Sequence, residues 1–122
     1  MPEPLIEEIK LRRRSRVLEV AFADGTRYGL PFEYLRVHSP SAEVQGHGAG
    51  EGVLVVDKEQ VGLRAIEPVG QYAVRLVFDD GHDTGLYTWS YLHELAIQHE
   101  RKWAEYLARC ARAGHVRRHV PT

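Results

Sequence analysis

The sequence lacks the features that mark secreted, membrane-spanning or strongly charged proteins. Its 122 residues include one cysteine, Cys110, so no internal disulfide can form, whereas small secreted domains usually carry several. No apolar run approaches the roughly 20 residues that cross a bilayer, and no signal-peptide pattern opens the chain. The formal net charge of -1 argues against nucleic acid or a membrane surface as partner. We therefore expect a cytoplasmic protein.

The motifs of familiar catalytic centres are missing too. His93-Glu94 would need a second histidine at position 97 to bind zinc as a metalloprotease does, and that residue is Ile97. The glycine-rich run 46–52 lacks the Gly-Lys-Ser/Thr ending of a phosphate-binding loop. No histidine precedes an acid at the spacing that iron-dependent oxygenases use. We expect no enzymatic activity.

Two similar patterns stand in the two halves of the chain. Apolar residues alternate with others over 18–22 before Asp24-Gly25, and again over 74–78 before Asp80-Gly81. Alternation that ends in Asp-Gly predicts a β-hairpin, because glycine accepts the positive φ of a tight turn. A constant offset also matches Gly29-Leu30 with Gly85-Leu86, and one residue of slip pairs Tyr34-Leu35 with Tyr91-Leu92. The match predicts two ββα-like units; the alternative is that hairpins sharing a turn type simply look alike.

Apolar residues at helical spacing predict a long helix from residue 89 to about 113, which Gly114 would end. Residues 53–56 and 63–66 are further strand candidates. The predicted fold class is α+β, with an antiparallel or mixed sheet built from the two units and the long C-terminal helix packed on it. Residues 1–113 would form a single domain, and residues 114–122 a basic, flexible tail. Cys110, His115 and His119 do not make a convincing metal cluster, because Cys110 fits the apolar face of the helix.

A polar segment beside the glycine-rich run is the strongest candidate for recognition. Ser39 followed by Pro40 is typical of a helix N-cap and first helical residue, which is a complete structural explanation. Binding of a small molecule or of a protein is the equally open alternative. The polar residues of this segment are Arg36, His38, Ser39, Ser41, Glu43, Gln45 and His47.

Three blocks of sequence carry a resemblance to a known family. They are residues 35–44, residues 66–73 and the run Asp80-Gly81-His82 to Trp89, which contains Gly-Leu-Tyr-Thr-Trp. Together they make the chain resemble the gamma-butyrobetaine hydroxylase-like N-terminal domain, a domain family of unknown function, over about residues 6 to 111.

The resemblance implies a site that this chain has changed. In gamma-butyrobetaine and trimethyllysine hydroxylases the module precedes an oxygenase domain, and three cysteines with the histidine of the Asp-Gly-His block hold a structural zinc. The cysteines correspond to Ser39, Ser41 and Val44 here, and the histidine to His82. Hydroxyls are poor zinc ligands and valine is none. We therefore expect no cofactor, and we expect hydrogen bonds among Ser39, Ser41 and His82 to replace the metal.

The leading prediction is a non-enzymatic protein-interaction or accessory module. The family also occurs fused to P-loop iron–sulfur cluster carriers, so the resemblance implies iron–sulfur or oxygenase-related partners. The alternative is an accessory protein that binds a metal or a small molecule through the His38–His47 segment and His82, with zinc or iron held by His38, His47 and His82. The candidate residues for ligand or partner binding are Arg36, His38, Ser39, Ser41, Glu43, His47, Asp80 and His82.

Overall fold

The computed structural model describes residues 5–41, 44 and 53–117. In the first half, three strands precede a short helix: β1 (Ile6–Arg12), β2 (Val17–Phe22), β3 (Arg27–Pro31) and α1 (Phe32–Val37). In the second half, three more strands precede two helices: β4 (Leu63–Val69), β5 (Ala73–Phe78), β6 (Leu86–Thr88), α2 (Trp89–Ile97) and α3 (His99–Arg112).

The strands of the described residues form two separate antiparallel sheets, in the orders β1-β2-β3 and β4-β5-β6. Both predicted Asp-Gly turns are present, and their glycines adopt left-handed φ values, +92° at Gly25 and +91° at Gly81. The α+β class is confirmed. Each predicted hairpin also has a strand in front of it, so each half is a three-stranded sheet followed by a helix.

The two halves share an irregular strand pairing as well as an Asp-Gly turn. The β1–β2 pairing is irregular between Ile6 and Glu8, and the β4–β5 pairing is irregular between Leu63 and Ala65. Both irregularities lie at the start of the first strand of a sheet, close to the last residue of its neighbour. Because a bulge depends on local pairing rather than on turn type, its recurrence supports the interpretation of two equivalent units.

The predicted strand at 53–56 is wrong, since these residues have no strand partner in the structure. The Val55 carbonyl instead accepts a hydrogen bond of 2.6 Å from the Tyr106 hydroxyl. Leu54, Val55 and Val56 pack against a small buried cluster that includes Tyr106 and Cys110 of α3. Their branched side chains therefore cover α3 instead of extending a sheet. The strand predicted over 63–66 is present as the first part of β4.

The long C-terminal helix is confirmed as α3, and the chain bends at Gln98 between α2 and α3. Helix α2 begins after Thr88, whose hydroxyl accepts a hydrogen bond from the Tyr91 N–H. Helix α3 ends at Arg112, and Gly114 follows its C-cap as predicted, with a φ of +76°. Within the described parts of the chain, no helix has both the length and the apolar character that crossing a membrane requires.

One hydrophobic core joins the two halves. Both sheets turn their inner faces to it, with Leu18, Val20 and Phe22 from β2 and Val74, Leu76 and Phe78 from β5. Leu92 and Leu95 of α2 complete it, and Trp89, Tyr91 and Trp103 pack against it while partly exposed. Cys110 is 1% exposed and belongs to the smaller cluster under α3.

Candidate functional site

The end of α1 and the turn after β5 meet at a buried contact between the two halves, which we call the seam. Ser39 lies just after α1, and its hydroxyl is 2.8 Å from Nε2 of His82, which follows the Asp80-Gly81 turn. Both residues are buried, with His82 only 6% exposed. The hydrogen bond that the resemblance led us to expect between these two residues is therefore present.

The rest of the seam also joins the first half to the β5–β6 connection. The Ser41 hydroxyl is hydrogen-bonded to the Thr84 hydroxyl at 2.7 Å. The Ser41 N–H donates to the Ser39 hydroxyl at 3.2 Å, as the second residue after an N-cap does. A Cβ at Gly85 would come within 2.5 Å of the Ser39 hydroxyl oxygen, so only glycine permits this approach.

A partly buried ion pair lies beside the hydroxyls. The guanidinium Nε of Arg36 donates to Asp80 at 2.8 Å, and the Lys58 ammonium lies 2.6 Å from the same carboxylate oxygen. The other carboxylate oxygen accepts from the His82 N–H at 3.1 Å. Burial opposes ionisation of Asp80, but the bonds from Lys58, the His82 amide and Arg36 outweigh it and lower the pKa of Asp80 to about 2. Asp80 therefore stays ionised at neutral pH and holds the histidine turn against α1.

Three tyrosine hydroxyls also cross between the halves. Tyr34 donates to the Leu95 carbonyl at 2.7 Å, while Tyr87 donates to the Leu35 carbonyl at 2.6 Å. Tyr91 donates to the His38 carbonyl at 2.6 Å, and burial raises its pKa to about 12. The internal repeat had paired Tyr34 with Tyr91. The sequence carried no signal for their partners, because those are backbone carbonyls of the opposite half.

Of the histidines named as alternative metal ligands, the described residues include His38 and His82, which have different hydrogen-bond partners. Nδ1 of His38 is 2.9 Å from the Tyr34 carbonyl, so it carries the proton of that hydrogen bond, and burial lowers the pKa of His38. His82 is bonded to Ser39, and His47 lies outside the described residues, as does Glu43. Metal or small-molecule binding through His38, His47 and His82 stays a prediction.

The seam does not fit the zinc that the resemblance implies. Two ligand atoms on a tetrahedral zinc lie roughly 3.3 Å apart, since each is bound at about 2.0–2.1 Å. The Ser39 oxygen and the His82 nitrogen are 2.8 Å apart, which is a hydrogen-bond distance. The Ser41 hydroxyl is committed to Thr84, and Val44 has no donor atom. The side chains of the seam are therefore poorly suited to holding zinc.

In some enzymes a serine hydroxyl bonded to an imidazole is a nucleophile with its general base. Here Ser39 is fully buried, and Gly85 and Tyr87 pack directly against its hydroxyl. A substrate could reach that oxygen only if the two halves separated. The pair is suited to holding the halves together, and this is the role that its geometry supports.

A family model described as gamma-butyrobetaine hydroxylase-like, N-terminal, matches residues 9–93 of the chain. The chain belongs to this family. The match contains both sheets, the seam and most of α2, and it ends before α3. None of the curated proteins matches the chain.

Solved structures resemble this gamma-butyrobetaine hydroxylase-like domain over most of its length. A solution NMR structure is 49% identical with a TM-score of 0.83, covering 99% of this chain and 95% of the other. A second NMR structure is 48% identical with a TM-score of 0.79, covering 98% and 92%. A crystal structure of a DUF971-family protein of unknown function from Acidithiobacillus ferrooxidans is 45% identical with a TM-score of 0.62, covering 77% and 92%.

Proposed function

We propose that this domain is a non-enzymatic module that binds a partner protein through the outer face of its second sheet, β4-β5-β6. The observation that carries the proposal is a difference between the two halves. Each half is a three-stranded sheet followed by a helix. The outer face of the first sheet is charged, whereas the outer face of the second sheet is mainly apolar.

The outer face of the first sheet is a network of charges. Paired residues on neighbouring antiparallel strands share a face, so the register places Glu8, Lys10, Glu19 and Arg27 on the side away from the core. Arg27 lies within 3.3 Å and 3.4 Å of carboxylate oxygens of Glu8 and Glu19. A face of this kind is well solvated and offers little apolar area to a partner.

The same face of the second sheet is mainly apolar. The register places Val69, Ala73, Val77 and Leu86 on it, with a single ion pair between Glu67 and Arg75. Leu86 is 47% exposed and Val69 39%, and Tyr72 in the β4–β5 turn is 55% exposed. Exposed apolar side chains gathered on one face mark a contact surface more often than a solvated one.

The partner that we propose is a P-loop iron–sulfur cluster carrier, since the resemblance links the family to such proteins; an oxygenase is the second choice. This chain spans 95% and 92% of the two similar NMR structures, so the three chains have similar lengths. The proposal places this chain in the cytoplasm, where a single unpaired cysteine is ordinary.

The test measures binding of the purified full chain to the iron–sulfur carrier of the same cell by calorimetry. Leu86→Arg puts a charge on an apolar side chain of this face that is 47% exposed, and we expect it to weaken binding at least about tenfold, the loss typical of an energetically important contact residue. Lys10→Glu, on the outer face of the first sheet, is the matched control and should leave the affinity unchanged.

Two results would overturn this proposal. One is a carrier that binds wild type and Leu86→Arg equally well, because the apolar face would then be irrelevant. The other is a chain that binds neither carrier nor oxygenase but forms a dimer that Leu86→Arg dissociates, because the face would then serve a second copy of the chain. Sedimentation of the chain alone distinguishes these results.

A further inference from the structure

A cluster of metal-ligating side chains lies away from the seam, where the segment before β4 meets the end of α3. Nε2 of His115 is 3.8 Å from a carboxylate oxygen of Asp57 and 3.9 Å from one of Glu59. One ligand atom from each of the three residues lies within 4.8 Å of the others. His115 lies more than fifty positions after Asp57 and Glu59 in the sequence, so its approach to them is a product of the fold.

The backbone on both sides of the cluster is held in place. After α3, the Gly114 N–H donates to the Ala111 carbonyl at 3.1 Å and the His115 N–H to the Cys110 carbonyl at 2.9 Å. This pair of bonds is the Schellman pattern, and it fixes the direction of the His115 side chain. On the other side, the Tyr106 bond to Val55 holds the segment that leads into Asp57.

The imidazole nitrogen that faces the two acids has no hydrogen-bond partner among the described residues, although it is buried. Its distances to the carboxylate oxygens are too long for hydrogen bonds, for which about 2.7–3.2 Å is normal. They are close to the separation of two atoms bound to one ion, roughly 3.3–3.5 Å for ligands at about 2.0–2.2 Å. To hold one ion, the three ligand atoms, which lie within 4.8 Å of one another, would have to draw together to this separation.

The side chains of the cluster match the charge of a divalent cation. Asp57 and Glu59 supply two carboxylates, and His115 supplies an imidazole. The Glu59 side chain is 1% exposed, so an ion bound to it would be shielded from water on that side.

We propose that Asp57, Glu59 and His115 form a binding site for one divalent transition-metal ion, with zinc as the first ion to test. One imidazole and two carboxylates suit zinc, iron(II) or manganese(II), whereas magnesium and calcium prefer oxygen ligands alone. The Asp57 side chain is 62% exposed, so the fourth position of a tetrahedral ion would face solvent. This site shares no ligand residue with the proposed protein-binding face or with the seam, although Lys58 between Asp57 and Glu59 contacts Asp80 of the seam.

The test uses the full chain, purified without a tag and stripped with chelator, titrated with zinc by calorimetry. We expect one ion per chain, a weaker response to magnesium, and a rise in melting temperature with zinc, because the ion would tie the segment before β4 to the end of α3. Asp57→Asn and His115→Ala should each weaken zinc binding at least tenfold. Asp57 is exposed, so its variant should fold normally, and circular dichroism checks both.

Two controls separate this site from others. Asp83→Asn changes an exposed acid elsewhere and should leave zinc affinity unchanged, as should His82→Gln at the seam. The proposal is overturned by a chain that binds no zinc, or by zinc binding that survives Asp57→Asn and His115→Ala. It is equally overturned if His38→Ala or His47→Ala abolishes the binding, because the ion would then occupy the other histidines.

Discussion

At the scale of single residues, Asp80 carries the clearest pH dependence. Its pKa of about 2 in the folded chain lies below the unfolded value of about 3.9. A lowered pKa contributes stability that is complete above the unfolded value and is lost as the pH falls through the folded one. The contribution of Asp80 should therefore disappear between about pH 4 and pH 2.

Asp80→Asn tests this directly. At pH 7 we expect a loss of about 1–2 kcal/mol in the free energy of unfolding, because Arg36 and Lys58 would lose their shared anion, whose interactions solvent partly screens. The difference from wild type should shrink below about pH 4 in urea titrations. Asp83→Asn, at an exposed neighbour, is the control. A difference that stays constant down to pH 2 would contradict the assignment.

The resemblance makes a second prediction at this scale. Replacing Ser39, Ser41 and Val44 together by cysteine should create a zinc site with His82, because three thiolates and an imidazole form a common structural zinc set. We expect one additional zinc per chain, retained against a chelator that strips the wild type. The same triple change combined with His82→Ala should lose that zinc. If the triple variant gains none, the correspondence of these positions is wrong.

Only part of the seam could be predicted. The approach of Ser39 to His82 followed from the resemblance, since related proteins bring the same positions together around a metal. Lys58 and Thr84 were missed because a lysine or threonine in a loop has no pattern of its own. Their roles depend on where the opposite half places an acid or a hydroxyl. The Asp57, Glu59 and His115 cluster was missed for the same reason.

At the scale of elements, Gly29 and Gly85 are equivalent in the repeat but not in their surroundings. A Cβ at Gly85 would lie 2.5 Å from the Ser39 oxygen, whereas one at Gly29 would meet Val17 at an ordinary 3.7 Å. We expect Gly85→Ala to destabilise the domain by about 1–3 kcal/mol through this overlap. Gly29→Ala should cost less than about 0.5 kcal/mol, as an unstrained substitution does. Equal losses in thermal unfolding would contradict this account.

The elements themselves were predicted unevenly. The hairpins could be predicted because a tight turn at Asp24-Gly25 or Asp80-Gly81 depends on those residues and not on distant parts of the chain. The bend at Gln98 was not, since no glycine or proline marks it and it separates two helices that pack on different clusters. Residues 53–56 have the composition of a strand, and only the presence of α3 gives them another role.

At the scale of the whole molecule, neither half has a core of its own. Residues of β2 and β5 share one buried cluster, and the seam and the tyrosine bonds cross between the halves. We expect fragments 1–52 and 53–122 to be unfolded when isolated, since chains this short rarely bury enough apolar surface alone. Amide NMR spectra of each fragment provide the measurement.

The intact chain should then unfold in one step. Circular dichroism follows both halves, while fluorescence follows Trp89 and Trp103, which both lie in the second half. We expect the two melting curves to coincide, as they do for a two-state domain. A fluorescence transition displaced from the circular dichroism transition would show that the second half unfolds separately.

The burial of Cys110 gives this domain a kinetic reporter. Its thiol is the only one in the chain and is 1% exposed beneath α3, so a thiol reagent can reach it only when that helix lifts away. The rate at which the native protein is labelled therefore reports how often α3 opens. No other cysteine contributes to the signal. Labelling with and without zinc would show how firmly an ion at the end of that helix holds it closed.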